Sequence, residues 1–443
     1  MDVLIILFTL IAGLLLSCAT KDKFVRRVSL LFFFIWSFLL ILSVSNPYNL
    51  KPVSPITYLY ICTFVIMVLL GMNISTVRVP PRFISLNNAT SLAFNHLATN
   101  KWVLGVLVIA DIFLIFFCFQ LRDLLETMSA LDYRNTGGLQ NDLFGGNSFI
   151  GLTYTFLVTP MTFFSNIFLA YLILFNRKAI LPIILYALFI VLRSYLEGQR
   201  SGLVDVFIFI AFFIFCCPFF ISDTSNKKVV RKKMIKNVLL IGLVSVAAFA
   251  LLSFMTNQRL HNENEFSMTS VSDGANDTFN HLLVYSIGPF RALDYALDNN
   301  YADRLGGHSY GLSTLGFVDY SLQLVSNNLG IKYNTANGRI YKLLQDNWIS
   351  IPQDFNFAYT AVFNFYMDFG FLGILFIPFI LGCILKKFIV RFTCSYNPIT
   401  LLVVAYLFYV LSNSYFTWRM YEMSAMVTIL WLFIYKRMLK KHF

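Results

Sequence analysis

Charge is scarce in this chain of 443 residues: Asp, Glu, Lys and Arg make up 13% of it, against roughly 25% in an average globular domain. Too few ionic groups remain to clothe an ordinary soluble enzyme in water. The apolar fraction of 58%, with 48 Phe and a mean hydropathy of +0.70, reads instead as an integral membrane protein. Cysteines in usable arrangements are missing as well. Six of the seven (Cys18, Cys62, Cys118, Cys216, Cys217 and Cys383) fall inside apolar runs and Cys394 follows a basic cluster, so neither a disulfide framework nor a CxxC metal site can be read. A phosphate-cradling glycine loop, a DxD-like metal pair, a nucleophile elbow and an HExxH helix are also absent, which turns the reading toward chemistry without a metal or other cofactor. There is no internal repeat of fixed period and no low-complexity tract.

What is present is a series of long apolar runs. Crossing about 30 Å of hydrocarbon takes about 20 mostly apolar residues in a helix. Eleven stretches qualify, near 2 to 19, 28 to 45, 56 to 73, 102 to 120, 149 to 175, 179 to 195, 203 to 221, 237 to 255, 369 to 385, 398 to 416 and 421 to 436. Met1-Asp2 offers no basic segment ahead of the first run, and no convincing cleavage site precedes Lys21, so that run reads as a true span. The expected fold is an all-α polytopic membrane protein of about eleven spans.

The formal net charge of +12 sits in short clusters between apolar runs, a distribution that sets membrane topology and argues against nucleic-acid binding. Alternate loops (20 to 27, 74 to 101, 176 to 178, 222 to 236, 386 to 397 and the tail from Lys436) hold 22 Lys or Arg and only Asp22 and Asp223 as acids. The rest of the chain holds 12 basic and 20 acidic residues. Basic short loops stay in the cytoplasm, so the amino terminus is expected outside and the carboxyl terminus inside.

One segment, 256 to 368, breaks the rhythm of short loops and falls on the outer side by this count. It divides the chain into spans one to eight (1–255), a large outer loop (256–368) and spans nine to eleven (369–443). Its richness in Tyr, Phe and Trp argues against disorder, and a loop this long is usually functional. Within it His281 to Leu297, interrupted by Gly288-Pro289 and too short to span, fits an interfacial or re-entrant helix.

The two sides differ in the kind of cation they use. The cytoplasmic loops carry 14 Lys and 8 Arg, whereas the outer side carries 9 Arg (Arg122, Arg134, Arg193, Arg200, Arg259, Arg291, Arg304, Arg339, Arg419) and only Lys51, Lys332 and Lys342. Topology is indifferent to this choice. Phosphate is not, because the planar guanidinium grips its oxygens bidentately. Arg193 and Arg200, seven residues apart beside Glu197 and with Gly198 and Gly202 permitting close approach, can converge on one diphosphate; equally, both can snorkel at helix ends with Arg193 and Glu197 paired. Arg291 follows the Gly-Pro break. His308, in Gly306-Gly-His-Ser-Tyr-Gly311, can move a proton near neutral pH or be a solvated loop residue. Asp111 in the fourth run and Asp205 in the seventh are intramembrane carboxylates, functional candidates or partner-satisfied structural groups.

The most distinctive stretch runs from Asn356 to Gly373, where Asn356, Tyr359, Thr360, Asn364 and Asp368 are polar positions in an aromatic setting, suited to a hydroxyl-rich ligand or to an aromatic belt. The Asn356-Phe-Ala-Tyr359-Thr360 element, the following Tyr366-Met-Asp368-Phe-Gly370-Phe-Leu-Gly373 and the Gly198-Gln-Arg200-Ser turn, with a large outer loop between them, together resemble the bacterial oligosaccharide repeat unit polymerases, or O-antigen polymerases. The resemblance covers most of the chain in layout and two short motifs in residue detail. It implies a glycosyltransferase of the C-like superfamily in the bacterial inner membrane, active in lipopolysaccharide and polysaccharide biosynthesis at the periplasmic face. Such an enzyme moves a growing glycan from undecaprenyl diphosphate to a sugar hydroxyl of the next lipid-linked unit. It would work beside a flippase and a chain-length regulator. On this reading Arg193 and Arg200, with Arg291, stabilise charge on the leaving diphosphate. His308, Asp368 or Glu197 orients or deprotonates the acceptor, and Asn356, Tyr359, Thr360, Arg259, Arg304 and Tyr310 bind substrate. Two other readings stand beside it: an O-antigen ligase or other lipid-linked-sugar transferase, although His308-Ser309 lacks the trailing glycines of ligases, and a polysaccharide flippase, which would concentrate its polar groups near the midplane.

Overall fold

Inside hydrocarbon every backbone N–H and C=O must find its partner within the chain, so long apolar runs become helices. A computed structural model of the protein describes residues 2–47, 49–74, 100–126, 148–175, 179–197, 201–220, 268–346, 359–395 and 398–439, with positions 250, 253, 349–350 and 354–355. Six helices among them have segments long and apolar enough to cross a membrane: Asp2–Ala19, Lys23–Ser45, Pro55–Ile74, Lys101–Arg122, Gly151–Leu174 and Ala361–Cys394. Shorter apolar segments lie at Ile180–Arg193, Val204–Phe215, Ile399–Asn413 and Met423–Ile434. This is the composition of an all-α polytopic membrane protein. Ten of the eleven expected runs coincide with one of these helices, and the run at 237 to 255 lies outside the described residues but for two positions.

The chain folds into two compact units. The first joins residues 1–81, 283–395 and 399–429. Its helices are α1 (Asp2–Ala19), α2 (Lys23–Ser45) and α3 (Pro55–Ile74), both α1 and α2 packing on α3. Asp22 starts α2 by accepting the Phe24 and Val25 amides at 2.7 and 2.9 Å, the side-chain cap that the first turn of a helix requires. The second unit, 82–282 with 430–443, holds α4 (Lys101–Glu126) and then α5 (Ser148–Thr153). A π-helical turn, Tyr154–Val158, joins α5 to α6 (Thr159–Phe175), and α7 (Ile180–Glu197) and α8 (Ser201–Phe220) follow. In that unit α4 packs on α7 and α6 on α8, with Phe163 and Tyr171 meeting Phe209 and Phe213 edge to face at 5.4 and 5.7 Å.

The described part of the 256–368 segment is more regular than its sequence promises. In place of a short interfacial helix at 281 to 297, a 31-residue helix, α9 (Met268–Asp298), runs straight through Gly288-Pro289. Proline removes one backbone donor, yet Ile287, Phe290, Ala292 and Leu293 are all fully buried, and Phe290 stacks on Trp36 of α2 at 6.2 Å. Packing overrides the break. Beyond it come α10 (Tyr301–Arg304), α11 (Gly316–Asn328), α12 (Ala336–Asp346) and a two-residue antiparallel ladder, Ile349–Ser350 with Asp354–Phe355.

The next helix, α13 (Ala361–Ser395), begins eight residues before the expected span at 369 and is broken at Phe369 and Gly370, whose φ values are −142° and 60°. Past the break it crosses α3 at close range. A Cβ on Gly71 would meet the Phe379 carbonyl and one on Gly382 the Val68 carbonyl, so two glycines let the backbones touch. After α13 come α14 (Pro398–Asn413), a 3-10 turn at Arg419–Tyr421 and α15 (Met423–Leu439).

Candidate functional site: a histidine loop braced by a buried aspartate

The last residue before the break in α13 is Asp368, and its carboxylate is fully buried. It accepts Ser309 Oγ at 2.6 Å, the Ser313 amide at 2.9 Å and the Thr314 amide at 2.7 Å. Backbone bonds from Ser309 N to the Met367 carbonyl and from Tyr310 N to the Asp368 carbonyl stitch the 305–315 loop to the same short helical stub. Asn364 donates to Ser313 Oγ at 2.9 Å, and Trp418 Nε1 donates to the Thr314 carbonyl at 2.8 Å. An ionised carboxylate only accepts, and here three donors converge on one. Asp368 is thereby a fastening for the loop, shielded from any acceptor hydroxyl it was expected to deprotonate.

What the fastening presents is His308. Its Nδ1 lies 3.3 Å from the Met367 carbonyl. A carbonyl can only accept, so this contact favours a proton on Nδ1, and in the neutral ring that tautomer leaves the lone pair on Nε2. The exposed imidazole meets the Tyr366 ring edge to face at 6.1 Å, Tyr366 is followed by Tyr60 at 6.1 Å, and Tyr60 by Phe371 at 5.5 Å. Gly370 is needed beneath it: its φ of 60° favours glycine, and a Cβ there would stand 3.3 Å from His308 Nε2. On the other side Tyr310 holds a φ of 50°, rare for an aromatic residue, leaves 78% of its surface exposed and meets the Phe369 ring at 6.3 Å. A backbone held this way at an exposed ring, next to an exposed imidazole, has the makings of a binding surface.

The other expected site residues fall in several places. Arg291 is buried to 2% exposure, not presented to a diphosphate: it donates to Ser43 Oγ, the Ile287 carbonyl and Asn46 Oδ1 at 3.0 to 3.1 Å. Tyr359 and Thr360 are buried as well, Tyr359 against Phe363 at 4.7 Å, and burial, followed by the neighbouring Tyr301, pushes the Tyr359 phenol up. Neither offers a hydroxyl to a ligand. Arg304 is exposed, with its guanidinium over the Tyr301 ring at 5.7 Å. In the second unit Arg193 donates to the Tyr154 hydroxyl at 2.6 Å and lies over the same ring, at the π-helical turn. The backbone of Glu197 ends α7, while its side chain and the whole of Arg200, Arg259 and Asn356 lie outside the described residues. Asp111 is buried and accepts Ser165 Oγ at 2.8 Å. Asp205 sits half-buried in α8.

Tyr60, Tyr366, Phe369 and Phe371 were missed as members of a site because aromatic residues are everywhere in this chain. Ser309, Ser313 and Thr314 carried no signal, since their partner is more than 50 residues away in sequence. Among the described residues no cluster of His, Cys, Asp and Glu could hold a metal ion. No family model, curated protein or solved structure matches the chain.

Proposed function

We propose that the protein is a membrane glycosyltransferase, an oligosaccharide repeat unit polymerase whose acceptor base is His308. The observation that carries the reading is the setting of this imidazole: it is exposed, its Nδ1 faces a carbonyl, Gly370 leaves space beside its Nε2, and the half-buried Tyr366 ring lies against it. Sugar C–H faces stack on aromatic rings, and a hydroxyl presented to Nε2 can lose its proton as it attacks. The acceptor oxygen then bonds to the anomeric carbon of the donor glycan while the bond from that carbon to the lipid diphosphate breaks. The diphosphate departs with the electron pair. No nucleotide is needed, because the diphosphate bond is the energy source.

On this reading the chain crosses the bacterial inner membrane eleven times, with the amino terminus and the 256–368 segment in the periplasm and the carboxyl terminus in the cytoplasm. The diphosphate role read from sequence rests on Arg193 and Arg200, and Arg304 replaces the buried Arg291 as the arginine near the histidine loop. The same acceptor chemistry would serve an O-antigen ligase, and the acceptor distinguishes the two. The decisive experiment supplies purified protein in lipid with a lipid-diphosphate-linked repeat unit and no nucleotide. A ladder of products that is lost in His308→Ala supports the polymerase. Transfer only to a lipid A core acceptor makes it a ligase, and an undiminished ladder in His308→Ala removes the histidine from the mechanism.

A further inference from the structure

The hairpin of α11 and α12 carries a feature that the proposed chemistry does not use. Leu322 and Val325 stand at i and i+3 on one face of α11, Leu329 at i+7 caps its carboxyl end, and Ile331 follows in the turn. All four are exposed, Leu329 to 70%. A soluble hairpin would bury this row or make it polar. The charges around it are of one sign: Lys332, Arg339 and Lys342 are exposed, whereas Asp319 is fully buried, accepting the Tyr333 hydroxyl at 2.8 Å and the Asn337 amide at 3.2 Å. The only other acid of the hairpin is Asp346, whose side chain lies outside the described residues. The root of the hairpin is pinned through Thr314 to Trp418, and α11 packs on the 3-10 turn between α14 and α15. That turn joins two apolar helices at their ends.

We infer that α11 lies in the interface of the bilayer the chain spans. Its row of Leu322, Val325, Leu329 and Ile331 sinks into the acyl boundary, and Lys332, Arg339 and Lys342 meet anionic phospholipid headgroups. An amphipathic helix with an apolar face and basic flanks binds in this way, its apolar face about 5–10 Å into the headgroup and acyl boundary. With Asp319 buried inside the hairpin, the exposed charges among its described side chains are all cationic and face the lipid phosphates.

The test uses the full-length protein reconstituted in mixed phosphatidylglycerol and phosphatidylcholine bilayers, with Leu329→Trp and, separately, Val325→Trp. The added emission is taken as the difference from wild type. Brominated acyl chains should quench it at least about twofold more than aqueous iodide does, as an interfacial burial requires. In the Leu329→Trp background, Lys332→Glu with Lys342→Glu should weaken that quenching in anionic bilayers and leave it unchanged in pure phosphatidylcholine. Quenching by iodide alone would place the face in water, and quenching by neither would place it under protein; both results overturn the inference, as does indifference to charge reversal.

Discussion

Arg291 and Asp294, one turn apart on α9, grip the opposite poles of two neighbouring helices. The Arg291 guanidinium lies on Ser43 and Asn46 at the carboxyl-terminal end of α2, while Asp294 accepts the Ser54 amide at 2.9 Å, the Thr57 hydroxyl at 2.7 Å and the Ser54 hydroxyl at the amino-terminal end of α3. Helix carboxyl ends are partly negative and amino ends partly positive, so each charge faces the pole that favours it, at typically 0.3–1 and up to ~2 kcal/mol apiece. One helix thus locks two others by alternating the sign of its side chains. This account replaces the anion-binding role that the position of Arg291 implied in sequence.

Asp294→Ala leaves the Ser54 amide and two hydroxyls without the carboxylate, and Arg291→Ala removes the donor to Asn46 Oδ1 and to the Ser43 hydroxyl and carbonyl. Each should lower stability by about 1–3 kcal/mol. Thermal unfolding in detergent, followed by circular dichroism, measures the loss. An unchanged midpoint in both variants would show that the clamp carries no stability.

Asp368→Asn replaces an acceptor of three hydrogen bonds with a group that has one accepting oxygen and a donor facing either the Thr314 amide or the Ser313 amide with the Ser309 hydroxyl. About 1–3 kcal/mol of loop stability should go with it. Hydrogen exchange at Ser313 and Thr314 should accelerate, and on the proposed function transfer activity should fall along with it although Asp368 is buried away from substrate. Activity lost with exchange unchanged would give Asp368 a chemical role instead.

Gly71 and Gly382 have no room for a side chain against α13 and α3 respectively. Gly382→Ala should force the helices apart and cost about 1–3 kcal/mol, with the double alanine variant less than additive because both relieve at the same crossing. Detergent-resistant folding is the readout, and full additivity would mean the two contacts are independent.

Burial pushes the Asp319 carboxyl up from its ordinary value, against the lowering effect of the Tyr333 hydroxyl and the amides at the start of α12. Raised in the folded state, it contributes stability that is complete below the ordinary carboxylate value of about 3.9 and is lost as pH climbs through the shifted one. The α11–α12 hairpin should therefore loosen with rising pH above that value. In Asp319→Asn, protection of the Asn337 amide should become less dependent on pH over the same range; an identical profile in both proteins would assign the dependence elsewhere.

Hydropathy made the spans legible, because a 20-residue apolar run has one stable answer in lipid. The same logic failed at α9. Gly288-Pro289 reads as a break by local propensity, but the burial of Phe290 and Leu293 is decided by α2, far away in sequence. His308 and Tyr310 were legible as chemistry-bearing types in a glycine-rich loop. Their arrangement was not, because it depends on Asp368, and an aspartate beside an aromatic run reads as easily as a base as it does as a brace. Arg291 misled for the reverse reason: an arginine after a Gly-Pro pair looks like a ligand group until the end of α2 is seen against it.

The kink at Gly370 also makes the membrane itself a variable of the histidine. The bonds that hold His308, Ser309 and Tyr310 attach to the stub from Ala361 to Asp368, and that stub is seated hard on the span, since Gly373 has no space for a Cβ against the Phe365 carbonyl. Stub and span therefore turn together, and the His308 end of the loop turns with them. A helix that tilts to match a thinner or thicker bilayer would swing the imidazole through the same angle, so on the proposed function acyl-chain length would tune the reach of His308 toward a substrate that arrives on its own lipid.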